Sequence, residues 1–220
     1  AADVAGKGIP AAMFMMTAKT IIKDLAESGM AVNDIFTKAN EKLCENNESG
    51  MFVTAWMGIM DVNTGIMQYA NAGHNPPLLK RADGSFEYLK TRPGFVLAGM
   101  EGICYRAGEL HMNPGDRLFL YTDGVTEATD VSDELFGEER LLAYMNQNST
   151  VKASVLLPAL KYHIDEFVGE APQFDDMTML MFGYKPKKID TRTTTKTFPA
   201  KVEALSDVLA FVEKTLEQYE

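Results

Sequence analysis

The chain has 220 residues, 46% of them hydrophobic and 24% charged, the balance of an ordinary soluble globular protein. Its 31 acidic residues outnumber 21 basic ones and give a net charge of −10, which argues against general nucleic-acid binding, because that needs a basic face to displace counterions. No apolar run approaches the ~18 residues that cross a bilayer and no signal peptide is visible, and two cysteines in unlike contexts, Cys44 and Cys104, argue against a disulfide framework or a zinc site and suit a reducing cytosol.

The chain opens on "AADVAGKGIPAAMFMM". Asp3 follows the stub of a strand and precedes a Gly-Lys-Gly turn. From Ile9 to about Ser28 the pattern predicts a helix: Pro10 suits a first-turn position, Phe14, Ala18, Ile22 and Leu25 share a face, and Gly29 follows the end. Natural termini are usually polar and dispensable, so this opening reads as a cut edge. A second helix is expected over about Asn33 to Glu45.

The period then changes from helix to strand. "MFVTAWMGIMD" (51–61) is apolar on both alternate sets, the pattern of a strand covered on both faces. "VNTG" turns, "IMQYANA" returns, "GHNPP" turns again before "LLKR", and "ADGS" makes a hairpin into "FEYLK". After "NPGD" comes the apolar strand "RLFLYT" (117–122). Helices are expected over about Glu138 to Asn146 and Val151 to Val168, and "MTMLMFGY" (177–184) closes the main domain as a buried strand. This order predicts an α+β fold with helices covering a sheet sandwich. A linker is expected at 185–191. From 192 to 220 a strand and an amphipathic helix with Val202, Leu205, Val208, Leu209, Val212 and Leu216 on one face follow, too little to enclose a core.

The chemistry signal lies in the aspartates. Asp123 stands at the carboxyl end of one buried strand; Asp175 and Asp176 stand at the amino end of another. If those strands are antiparallel, the three lie at one edge of the sheet. Strand-end carboxylates without basic partners in sequence are costly unless a cation compensates. Oxygen ligands without His or thiolate suit Mg²⁺ or Mn²⁺, and two such ions can activate water and clamp a phosphate. No GxSxG nucleophile is present, and the Walker pattern GxxxxGK[ST] is absent.

"DVAGKGIPAAMFM", "NAGHNPP", "PGDRLFLYTDGVTEA", "ELFGEERL" and "FDDMTML" resemble, in order and spacing over residues 1 to about 184, the PPM-type serine/threonine phosphatases of the bacterial RsbU/SpoIIE branch. The resemblance implies an α-β-β-α sandwich of mostly antiparallel sheets flanked by helices, a centre of two Mn²⁺ or Mg²⁺ ions, and a cytoplasmic enzyme. The implied substrate is a phosphoserine or phosphothreonine on a STAS-type anti-sigma-factor antagonist. By position, Asp3 bridges the two metals, the Val4 carbonyl reaches one of them, and Asp123 and Asp175 hold the other side. Asp175 is preferred to Asp176 because the first aspartate of the pair matches the family's ligand position; alternation along the incoming strand turns Asp176 elsewhere, and a one-residue slip would reverse that choice. His74 is expected to order its loop rather than to act as an acid. Lys7 is weighed as a group that approaches phosphate and Glu127 as a residue behind the ligands; a solvated turn lysine and a capping acid are the plainer readings.

Two departures from the family pattern carry expectations. The Gly-Gly-Asp-x-x-Asp block that precedes "DVAGKG" in the family is absent, so the sandwich is expected to be incomplete, the isolated piece weakly active or inactive, and its open sheet edge prone to pair with a second copy. Residues 192–219 resemble the opening of a GHKL-type anti-sigma-factor kinase domain, without its ATP-binding helix and lid. The alternative to an enzyme is a non-catalytic PPM-like module that binds a sigma-regulatory partner.

Overall fold

The computed structural model of the protein describes residues 1–45, 47–172, 175–186 and 209–210. The chain separates into one unit of Ala1–Pro186 and another of Lys187–Glu220. In the second, Leu209 and Ala210 are helical and exposed; the rest of the tail expected from residue 187 onward lies outside the described residues.

In chain order the first unit comprises β1 (Ala2–Val4), α1 (Ile9–Glu27), α2 (Val32–Cys44), β2 (Val53–Met60), β3 (Ile66–Ala72), β4 (Leu78–Lys80) and β5 (Phe86–Tyr88). It continues through β6 (Gly108–His111), β7 (Arg117–Tyr121), a single 3-10 turn (Asp123–Val125), α3 (Gly137–Gln147), α4 (Ala153–Val168) and β8 (Met179–Gly183). Among the described residues two four-stranded sheets form, ordered β1-β2-β3-β6 and β5-β4-β7-β8, and each pairing of these strands is antiparallel.

Three apolar clusters make these elements a four-layer sandwich. The first packs Ala18 and Leu25 of α1 and Ile35, Phe36, Ala39 and Leu43 of α2 onto Val53, Ala55, Ala70 and Ala72 of the first sheet. The α2 residues recur every three or four positions, so one stripe faces the sheet. Leu118, Leu120 and Tyr184 meet Trp56, Met67 and Leu110 between the two sheets. On the far side Leu141, Met145, Leu156, Leu160 and Ile164 cover Leu78, Phe86, Phe119 and Tyr121. Residues of β7 thus feed both clusters, as the continuous apolar run of "RLFLYT" requires.

The far end of the second sheet is pinned by a buried charge. Asp116 is 1% exposed and accepts from the Asn113 amide at 2.9 Å, the Ala82 amide at 2.9 Å and Arg81 Nη1 at 2.6 Å. Burial pushes its carboxyl up, but these hydrogen bonds outweigh burial and leave it below the usual range.

Three details differ from the sequence reading. β6 has no counterpart in it. β2 is covered on both faces over its first half alone, for Ile59 is 43% exposed. β8 begins at Met179 rather than at 177 and is not a buried strand, for none of its five residues is fully buried and Leu180 is 51% exposed; the alternation that turned Asp176 aside starts after both aspartates.

Candidate metal centre

Register brings the acidic residues to one end of the sandwich. β7 and β8 are neighbours with Tyr121 opposite Met179, and one further backbone bond runs from the Thr122 amide to the Thr178 carbonyl at 3.1 Å. Beyond it the strands part, Asp123 on one side and Asp175 and Asp176 on the other. Thr122, 1% exposed, fixes this fork: its hydroxyl donates to the Asp176 carbonyl at 3.1 Å and accepts from the Thr178 amide at 2.9 Å. The 3-10 turn then holds Asp123 by its own carbonyl, which accepts from the Thr126 and Glu127 amides at 2.8 and 2.7 Å. The Glu127 side chain is exposed.

Asp3 comes from the other sheet. It lies on β1, at the edge of the described sheet, opposite Thr54 of β2. The Val53 amide and carbonyl both bond to Leu97, at 3.0 and 2.8 Å, so neither is available to Val4, its partner across the ladder. Antiparallel alternation therefore points the Val4 carbonyl away from β2, toward the outer edge. After Val4 the chain turns through Gly6 and Gly8, at φ 99° and 81°, a region that only glycine enters freely. The turn starts α1 directly beside β1.

These segments wall a cleft of about 710 Å³ lined by Asp3, Val4, Lys7, Asp175, Asp176 and Thr178 together with the first turns of α1. Asp123 is not one of the described lining residues, and its Oδ1 is buried without a hydrogen-bond partner. The other carboxylates act on Asp3: its carboxyl is pushed up to about 6, by burial first, then by the charges of Asp123, Asp175 and Asp176, against an opposing bond from the Val4 amide. Lys7 Nζ lies 3.8 Å from Asp175 Oδ1. The neighbouring groove between α1 and β2, about 400 Å³, has no carboxylate among its described lining residues.

The structure thus brings Asp3, Val4, Asp175 and Asp176 to one cleft, with Asp123 electrostatically coupled to it. All of these donors are oxygens, which fits Mg²⁺ or Mn²⁺ rather than a softer metal. The buried, unpartnered Asp123 oxygen and the mutual repulsion at Asp3 both favour an added cation. Among the described residues, no three acidic, His or Cys side chains already close on a common point. An ion held there would have to draw them together.

His74 sits beneath. It is 3% exposed, its backbone amide and carbonyl are both held by the Asn71 side chain at 2.8 and 2.9 Å, and its Nδ1 lies 3.0 Å from Thr54 Oγ1. Burial depresses its pKa to about 4, so the ring is neutral near pH 7. The contact runs to Thr54, the residue opposite Asp3. Thr54, Thr122 and Gly124 are the supporting residues that the sequence reading missed. The threonine before Asp123 and the glycine after it were the available signals.

Two sheets face to face with a helix pair on each outer side, carrying this acidic fork at one end, define a PP2C-like domain. The chain belongs to the Stage II sporulation protein E (SpoIIE) family, whose model matches residues 1–185. It is 28% identical over 205 residues to protein IcfG of Synechocystis sp., covering 81% of this chain and 32% of that protein. It is 33% identical over 127 residues to the phosphoserine phosphatase RsbU of Bacillus subtilis, covering 57% of this chain and 38% of that one. The chain therefore spans about a third of the length of these relatives. Among solved structures, the SiaA-PP2C domain of Pseudomonas aeruginosa superposes with a TM-score of 0.73 at 22% identity, covering 84% of this chain and 74% of that one. The catalytic domain of the serine/threonine protein phosphatase PstP, in complex with two manganese ions, superposes with a TM-score of 0.58 at 14% identity, covering 82% of this chain and 84% of that one.

Proposed function

We propose that this domain is a divalent-metal-dependent protein phosphatase acting on phosphoserine or phosphothreonine of a signalling protein. The observation that carries the reading is the convergence of Asp3, Asp123, Asp175 and Asp176 from two sheets, with Asp3 raised to about 6 by burial and by the other three. Family membership supports it, as do the phosphoserine phosphatase activity in the name of RsbU and the two manganese ions of PstP. The RsbU likeness further suggests a phosphorylated STAS-type anti-sigma-factor antagonist as substrate, in the cytoplasm.

In this reading Asp3, the Val4 carbonyl, Asp123 and Asp175 would hold two Mn²⁺ or Mg²⁺ ions, with Asp3 as the residue they share. The ions supply Lewis acidity and a water acidic enough to attack near neutral pH. The chain supplies the rest. Thr122 and the 3-10 turn fix Asp123, the β1–β2 ladder fixes Asp3, and the open cleft between them admits a phosphorylated side chain. No Ser or Cys nucleophile is needed.

Titration calorimetry with Mn²⁺, paired with release of phosphate from a phosphoserine protein, tests the reading. Wild type should bind Mn²⁺ and Asp123→Asn should lose both binding and Mn²⁺-dependent release. A wild-type chain that binds no Mn²⁺ overturns the reading in favour of a non-catalytic binding module.

A further inference from the structure

Lys7 is the basic side chain among the described residues that line the acidic cleft. Its Nζ stands 3.8 Å from Asp175 Oδ1, and the same oxygen accepts the Asp176 amide at 2.9 Å. The function proposed above gives Asp175 to a divalent ion, so one carboxylate has two cationic claimants. The sequence alone leaves Lys7 as either a solvated turn residue or a phosphate-approaching group; its position against Asp175 suggests a third role.

We propose that Lys7 is the counter-cation of the ion-free carboxylate cluster and is displaced from Asp175 when a divalent ion binds, so that it sets the affinity of the domain for its metal. This rests on the function proposed above. Three carboxylates line the cleft, and Asp123 acts on Asp3 beside them, so positive charge is favoured there before any metal arrives, and an ammonium that travels with the chain supplies it. It also keeps Asp175 turned toward the cleft.

The kind of contact matters. At 3.8 Å the pair is longer than a direct hydrogen bond, and the Lys7 side chain is 65% exposed against 33% for Asp175. Such a pair is weak and easily exchanged. A lysine is a point charge on a flexible stem, whereas the planar fork of an arginine grips a carboxylate through two parallel bonds and releases it reluctantly. The glycines on either side of Lys7, both at positive φ, present no side chain that would hinder its withdrawal. Lys7 is thus a positioning residue that acts through Asp175.

Mn²⁺ titration calorimetry of the full chain, comparing wild type with Lys7→Met and Lys7→Arg at low and high ionic strength, tests this. Lys7→Met should bind Mn²⁺ about two- to fivefold more tightly at low salt, the range set by a partly exposed ion pair. The gap should narrow as salt screens the competing charge. Lys7→Arg should bind as wild type does or more weakly. Unchanged or weaker binding by Lys7→Met, with wild-type binding intact, overturns the inference and leaves the phosphatase reading standing. A wild type that takes up no Mn²⁺ removes both.

Discussion

Gly124 lies so close to Asp176 that a Cβ at position 124 would stand 2.5 Å from the Asp176 carbonyl oxygen. The obstacle is backbone, which has no rotamer to change, and that carbonyl is already committed to the Thr122 hydroxyl. Gly124→Ala therefore has to spread the fork that carries Asp123 and Asp175. A loss of about 1–3 kcal/mol in urea unfolding is expected, outweighing the fraction of a kcal/mol that Gly→Ala gains from the unfolded chain. Weaker Mn²⁺ binding should accompany it. Unaltered unfolding would show that the two segments are free to separate.

Asp123 separates stability from metal binding. Its Oδ1 is buried without a partner, and its charge helps to raise the Asp3 carboxyl. Asp123→Asn should thus stabilise the metal-free protein by on the order of 1 kcal/mol while abolishing the gain from Mn²⁺. For wild type that gain should reach about 2.7 kcal/mol at a hundredfold excess over Kd. Thermal melts of both proteins, with and without Mn²⁺, read all four states.

His74 makes a pH prediction. Burial holds it near 4 in the folded protein against 6.5 ordinarily. Between those values the unfolded chain takes the proton and the folded chain does not. Its contribution is therefore complete above 6.5 and is lost as pH falls toward 4, by at most about 3 kcal/mol. Asp3 acts the other way: raised to about 6 from 3.8, it binds its proton first in the folded state and gains stability over the same descent. Substituting His74→Gln removes the first slope and leaves the second. Urea midpoints measured from pH 7 to pH 4.5 should move in favour of the variant, relative to wild type, as the pH drops. Parallel profiles would count against a neutral buried ring.

Asp116 tests the opposite end of the second sheet. Asp116→Ala strips the acceptor from the Asn113 and Ala82 amides and from Arg81, and should cost about 3 kcal/mol. Arg81→Ala should cost less, because its side chain is 44% exposed and the two amides keep their acceptor. Mn²⁺ affinity should be untouched in Arg81→Ala, since this corner lies away from the acidic cleft.

The legible parts of the molecule were those that repeat. The α2 stripe and the unbroken apolar run of β7 announce themselves over several residues. Placing Asp123 and Asp175 together needed just the direction of two strands, which their positions at a carboxyl end and an amino end supplied. β6 left no such trace: in "GELH" Leu110 alone is buried, and one inward residue makes no period. Alternation does not choose between Asp175 and Asp176 for a related reason. Both precede the ladder, so no alternation reaches them, and both line the cleft. The contacts of His74 with Thr54 and of Lys7 with Asp175 join residues far apart in sequence, and only the folded chain brings them together.

β1 has three residues and is paired on one side in the described sheet, yet it carries Asp3, while Asp123 follows the well-covered β7. Backbone amides around Asp3 should accordingly exchange with deuterium long before those of Leu118 to Leu120. An ion held by carboxylates from both sheets would tie the most easily opened strand of one layer to the most protected strand of the other. The two layers would then open as one cooperative unit, and exchange at β1 would slow toward that of β7. Metal occupancy would thus be written into the dynamics of the backbone as well as into catalysis.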